Sequence, residues 1–214
     1  MAFWYPQAFI ILILVALGGC SSGPKAPDEG SYLTELAAAR AEKDAFFTNA
    51  PDCNTTENPQ CSPVPPEKRA AMLPLPYYSP DSTYSVPAIL KLAEDRPVFE
   101  MPTSTGQPRK MQLVGTLQFR IQGQPQSLGA FVEEGTEQIL NLFVPFADTT
   151  TGTETYPAGR YLDLHPTATG YYTLDFNRAY NPFCAYNASY ECPFPPLQNR
   201  LKLAIRAGEK VPGA

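Results

Sequence analysis

The sequence predicts a mainly β protein, an antiparallel sandwich or open barrel with one N-terminal helix. The first observation is the stretch 110–122, where Met111, Leu113, Gly115, Leu117, Phe119 and Ile121 alternate with more polar neighbours. That is the period of a strand with one buried face. The second is the spacing of the later segments: after the Gly123-Gln124-Pro125 turn, similar patterns recur over 128–133, 138–143, 160–164, 171–176 and 200–205. Six strands at hairpin spacing, with little helical periodicity between them, point to an antiparallel sheet folded on itself. Gly115 falls on the apolar side, where it either admits a large neighbour or bends the strand.

The one helix expected is 31–49. Leu33, Leu36, Arg40, Phe47 and several alanines give it a one-sided stripe, with Ser31 or Thr34 as caps and Ala50-Pro51 as the stop. A helical turn is expected over 67–72, with Pro66 at its start. Leu73, Leu75, Tyr77, Tyr78, Tyr84 and Val86 are interrupted by prolines, so strands there should be short or at an edge.

Ahead of the domain, Ala8 to Gly19 is one apolar run ending at Cys20. It is too short to span a bilayer and fits a signal-peptide core. Leu17-Gly18-Gly19-Cys20 resembles a lipobox, in which Cys20 becomes the lipidated residue, although Met1 to Gln7 has no Lys or Arg. The expected organisation is a lipoprotein signal at 1–19, a polar tether at 20–30, one β-rich domain at 31–210 and a tail at 211–214. Ser21 after the cysteine suggests the outer membrane, so the domain is expected in the cell envelope, facing the periplasm and held to the membrane through Cys20. Sixteen Lys and Arg against twenty-one Asp and Glu give a net charge of −5. That balance argues against a nucleic-acid surface and leaves a small molecule, a glycan or a protein as the partner.

Four further cysteines in an exported chain favour disulfides over free thiols. Three connectivities are possible; nearest-neighbour pairing, Cys53–Cys61 and Cys184–Cys192, is the one expected. Each such loop closure contributes roughly 2.5 kcal/mol. The cysteine spacing does not suit zinc, so no metal and no cofactor are expected.

The densest pattern lies near the C terminus: Asp175-Phe176-Asn177-Arg178-Ala179-Tyr180-Asn181-Pro182, Cys184-Ala185-Tyr186, Cys192-Pro193, Pro195-Pro196, Asn199 and Ala207-Gly208-Glu209-Lys210. Before it stand Phe143-Val144-Pro145-Phe146, Asp148, Thr150, Gly152, Thr155-Tyr156 and Gly159-Arg160-Tyr161-Leu162. Together these blocks resemble a bacterial family known as domain of unknown function 1684. The resemblance supports the fold and the domain limits and implies no activity.

For chemistry the chain offers little of known form. There is no G-x-S-x-G elbow, no H-E-x-x-H and no phosphate-binding glycine loop, and His165 is the lone histidine, at a strand end. The candidate catalytic set is therefore Asp148, Arg160, Asp175 and Tyr180, with Asn177, Asn181, Tyr186 and Asn199 as candidate ligand-binding residues. Arg160 shares a face with Leu162 and Leu164, so it needs a carboxylate if that face is buried. Two kinds of protein fit such a set. A ligand- or partner-binding module, or a purely structural lipoprotein, buries all of these groups in hydrogen bonds; a hydrolase leaves at least one carboxylate open in a pocket.

Overall fold

A computed structural model of the chain describes residues 1, 28–52 and 60–213. All of the expected signal but Met1, most of the tether, Cys20 and Cys53 lie outside these residues. Seven strands form one antiparallel sheet: β1 Ser85–Leu92, β2 Val98–Met101, β3 Arg109–Ile121, β4 Gln124–Glu133, β5 Leu142–Phe146, β6 Arg160–Leu164 and β7 Tyr171–Asp175. Their order is β6-β5-β4-β3-β1-β7, with β2 beside β3, and the sheet curls into a half-barrel. Two helices, α1 Glu29–Asn49 and α2 Pro66–Met72, precede the sheet. Among the described residues no helix is long and apolar enough to cross a membrane.

Strand β3 is the spine. β4 pairs along almost all of one side, while β1 takes the second half of the other side and β2 the first half. The expected alternation along β3 is broken by a bulge, because the register with β4 shifts between Leu113 and Gly115. One extra residue turns every side chain before it to the opposite face. Val114, Leu117, Phe119 and Ile121 therefore enter the main core, whereas Met111 and Leu113 pack on the outer face with Met101, Phe99 and Phe131. The apolar row that reads as one stripe serves two cores. Gly115 is required here, since a Cβ would run into the carbonyl of Lys91 on β1.

Proline does not keep β1 short or wholly at an edge. β1 lies between β3 and β7, and its pairing with β3 begins only at Ala88, so Pro87 faces β7 alone. The missing N–H therefore falls where one side of the strand has no neighbour. The strand expected at 138–143 begins four residues later, as β5. The alternation over 200–205 is not a strand: Leu201, Leu203, Ile205 and Ala207 enter the main core from an extended segment.

Helix α1 has a weak apolar face. Leu36 and Phe47 are buried, while Leu33 stays 40% exposed. It is held by polar contacts instead. Arg40 donates to the carbonyls of Tyr78 and Asn177 and lies over the Tyr77 ring, and Lys43 pairs with buried Glu209 at 2.5 Å. Asp44 accepts the N–H of Leu75. Neither Ser31 nor Thr34 acts as the cap; their hydroxyls donate back to the carbonyls of Asp28 and Gly30.

Candidate functional site

Two kinds of locality hold the candidate residues. The first is a set of buried polar joints. Arg160, on the inner face of β6, is 1% exposed, and burial lowers its pKa. Its guanidinium bonds Asp148 at 2.9 Å and donates to the carbonyls of Ile205, Ala207 and Glu209. The carboxylate that its position requires is thus present. The same side chain supplies the extended segment 201–209 with the donors a neighbouring strand would give it. Asp148 is further used by Thr150 and by the N–H of Ile205.

The other polar candidates are committed in the same way. Asp175 accepts from the backbone and side chain of Asn177, from the Tyr32 hydroxyl at 3.0 Å, and pairs with Arg178. Asn177 clamps the backbone of Asp81 through both side-chain atoms. Asn199 does the same to Gly129 across 70 positions of sequence, and a Cβ on Gly129 would crowd its amide. Asn181 and Tyr186 meet at Glu209, which takes the Asn181 N–H at 2.8 Å and the Tyr186 hydroxyl at 2.7 Å. Burial and that carboxylate hold the Tyr186 phenol well above the ordinary range. These residues do not converge on one open site. His165 is exposed, 3.4 Å from the carbonyl of Leu140.

The second locality is a cavity of about 440 Å³ on the outer face of the sheet, closed by the loop that carries the C-terminal signature. Its floor is the apolar patch created by the β3 bulge, with Met111, Phe131 and Phe143. Its walls are Tyr161 of β6 and Tyr180, Phe183 and Tyr190 of the loop. The rings meet edge to face: Phe143 and Tyr161 at 4.7 Å, Tyr161 and Tyr180 at 5.8 Å, Phe183 and Tyr190 at 5.3 Å. The Tyr161 phenol donates to the carbonyl of Pro193 and the Tyr180 phenol to Asp163, each at 2.6 Å. Burial and Asp163 raise the Tyr180 pKa strongly. At the mouth, Arg109 is bridged to Glu133 and Glu191. Such a cavity offers ring surfaces rather than free charges.

Of the candidate catalytic and ligand-binding residues Tyr180 lines this cavity, as does Cys192 of the expected disulfide. Phe143 and Tyr161 were visible in the family blocks, but nothing in them marked which face they would take. A signal did exist in Leu113-Val114-Gly115, three nonpolar residues in succession where strict alternation allows none.

The cysteines need a correction. Cys184 and Cys192, expected as a disulfide, are free thiols in the structure, in contact but not joined. The Cys184 N–H donates to the Cys192 sulfur at 3.2 Å and the Tyr156 hydroxyl lies 3.8 Å from the Cys184 sulfur, so both reduced sulfurs are held by hydrogen bonds. The hydrogen bond with Cys192 pulls the Cys184 thiol down to about 7. Cys61 is buried and disulfide-bonded; its expected partner Cys53 lies outside the described residues. Among the described residues no cluster of His, Cys, Asp and Glu is arranged to hold a metal ion.

With the buried joints and the outer cavity in view, comparison with known proteins adds the family. The pattern described as "Protein of unknown function (DUF1684)" matches residues 71–210. The chain belongs to that family. Both localities lie almost wholly within the matched residues; the contacts of α1 with Asp175, Asn177 and Glu209 reach outside them. A solved structure, an uncharacterized protein of Haloarcula marismortui determined in solution by NMR, is 39% identical with a TM-score of 0.64. The likeness covers 85% of this chain and 95% of that one. Its source is an archaeon, so the likeness reaches beyond the bacteria. No curated protein matches the chain.

Proposed function

We propose that this DUF1684 protein is a lipid-anchored envelope module that binds a small apolar or aromatic ligand in its outer cavity. The single observation that carries the reading is the division of labour between the two localities. Asp148, Arg160, Asp175, Asn177, Asn181 and Asn199 each hold backbone segments together, with only the Arg160 Nε and the Asn181 Oδ1 among their buried atoms lacking a partner, while the cavity is built from ring faces with its charges paired at the rim. A hydrolase would need a carboxylate free to act on a substrate in the cavity, and Glu133 and Glu191 at its mouth are both engaged by Arg109. In this reading residues 1–19 are the signal, Cys20 is the lipidated residue, the domain faces the periplasm from the outer membrane, and Cys53 closes on Cys61.

The test uses a neutral fluorescent naphthylamine as the apolar probe. It should bind the native protein saturably with one site. Thr136→Trp or Gln138→Trp, both at the exposed mouth of the cavity, should weaken binding by about tenfold with no fall in melting temperature. Unsaturable uptake, or unchanged affinity in both variants, would overturn the proposal. Labelling of the protein by a fatty-acid precursor in cells, lost in Cys20→Ser, checks the anchor separately.

A further inference from the structure

A second concavity lies away from the aromatic cavity and shares none of its lining residues. It occupies about 940 Å³ across β7, β1, β3 and β4 and is walled by the segment after Pro196. Register places Tyr171 beside Ile89, Ile89 beside Gln118 and Gln118 beside Ser127, one exposed row running across four strands. Arg120, Arg200 and Lys202 stand exposed around that row. None of the three forms an ion pair among the described residues, unlike Arg109, Arg178 and Arg206. Among the described residues no carboxylate lines the groove, although the chain as a whole carries a net charge of −5. Gln118, Gln124, Gln126 and Gln198 add carboxamides, each with donors and acceptors together.

We infer that this groove binds an anionic oligosaccharide, a hydroxyl-rich chain carrying carboxylate, sulfate or phosphate groups. The cations answer the negative groups, with the arginines able to take them through two parallel bonds. The carboxamides suit a ligand whose every hydroxyl both gives and accepts a hydrogen bond. Tyr171, 64% exposed at one end, presents a flat ring to the apolar face of a sugar. A bound peptide strand would add at an open sheet edge, and the cations and carboxamides of this row sit away from the one such edge here, β7, around strands β1 and β3 that have neighbours on both sides. A membrane surface would favour apolar residues that protrude, whereas the exposed Ile89 lies within the concave floor among the carboxamides.

The probes are short oligogalacturonates and a sulfated dextran oligomer, with the methyl-esterified galacturonate as the neutral control, followed by calorimetry on the full domain. Saturable binding of at least one anionic oligomer is expected, falling as salt rises, with the neutral ester bound about tenfold more weakly. Arg200→Gln with Lys202→Gln should also lose about tenfold, and Tyr171→Ala several-fold, without loss of stability. Lys110→Gln, outside the groove, should change nothing. Absence of binding to both oligomers overturns the inference, as does equal affinity for the neutral ester or indifference to the Arg200 and Lys202 changes. Arg200- and Lys202-dependent binding to anionic phospholipid vesicles in place of the oligomers would also overturn it, by assigning the surface to a membrane. The naphthylamine experiment reads the other cavity, so the two results fail independently.

Discussion

The inner and outer faces of the half-barrel use the same residue types for opposite ends. On the inner side, Arg160 is surrounded by carbonyls and Asp148 and cannot act on anything but its own chain. On the outer side, Arg109 sits at a cavity mouth, held between two partly exposed glutamates. Tyrosine divides likewise: Tyr186 is sealed against Glu209, whereas Tyr180 gives its hydroxyl to Asp163 and leaves its ring to the cavity. The difference teaches that the polar part of the family signature builds the frame. The aromatic part borders open space.

The comparison breaks most easily at Arg160. Replacing it with Met keeps much of the volume but leaves Asp148 buried without its partner and three carbonyls without donors. Removing one partner of a buried pair costs about 3–5 kcal/mol, which lowers the melting temperature by on the order of 10 °C in a domain of this size. Thermal unfolding followed by circular dichroism checks it. A variant that melts within a degree or two of the parent would show that segment 201–209 is held by its apolar contacts alone.

Asp175→Asn tests a joint of intermediate strength. The amide still accepts from Asn177 and Tyr32 but gives up its charge, so about 1–2 kcal/mol should be lost, or roughly 3–6 °C. Naphthylamine affinity should stay unchanged, because Asp175 is not in the outer cavity. A loss of ligand binding at unchanged stability would return Asp175 to the site.

How much of this was legible depends on distance along the chain. The inward placement of Arg160 followed from alternation with Leu162 and Leu164, and the demand for a carboxylate followed from burial. The mainly β fold was likewise readable, because period two survives in most strands. Glu209 was visible only as part of a closing motif. Its partner Lys43 lies 166 positions away on a helix with little apolar stripe, and no local pattern encodes such a pair. The outer cavity was hidden for another reason: an extra residue at Val114 reverses a face without changing the composition of the strand. The alternation over 200–205 was real, but periodicity reports which side is buried and not what satisfies the backbone.

The smallest expected effect is a pH dependence at the contact between α1 and β7. Burial, and after it the charge of Asp175, raise the Tyr32 phenol to about 12, against an ordinary value near 10. Below pH 10 the phenol is protonated in both folded and unfolded chains, and its contact with Asp175 is fully available. Between about 10 and 12 the unfolded chain releases the proton while the folded chain retains it, so stability falls as pH rises. Asp175→Asn removes the neighbouring negative charge and should bring the Tyr32 titration part of the way back, though not to its ordinary value, because burial is the larger cause. The stability gap between parent and variant should therefore narrow across that window. Chemical denaturation at pH 9 and pH 11 measures it, with Tyr32→Phe as the reference that has no proton to lose. A gap that stays constant between the two pH values in the parent background, or that at pH 9 is as large in the Tyr32→Phe background as in the parent, would mean that Asp175 stabilises the fold through Asn177 and Arg178 rather than through the helix.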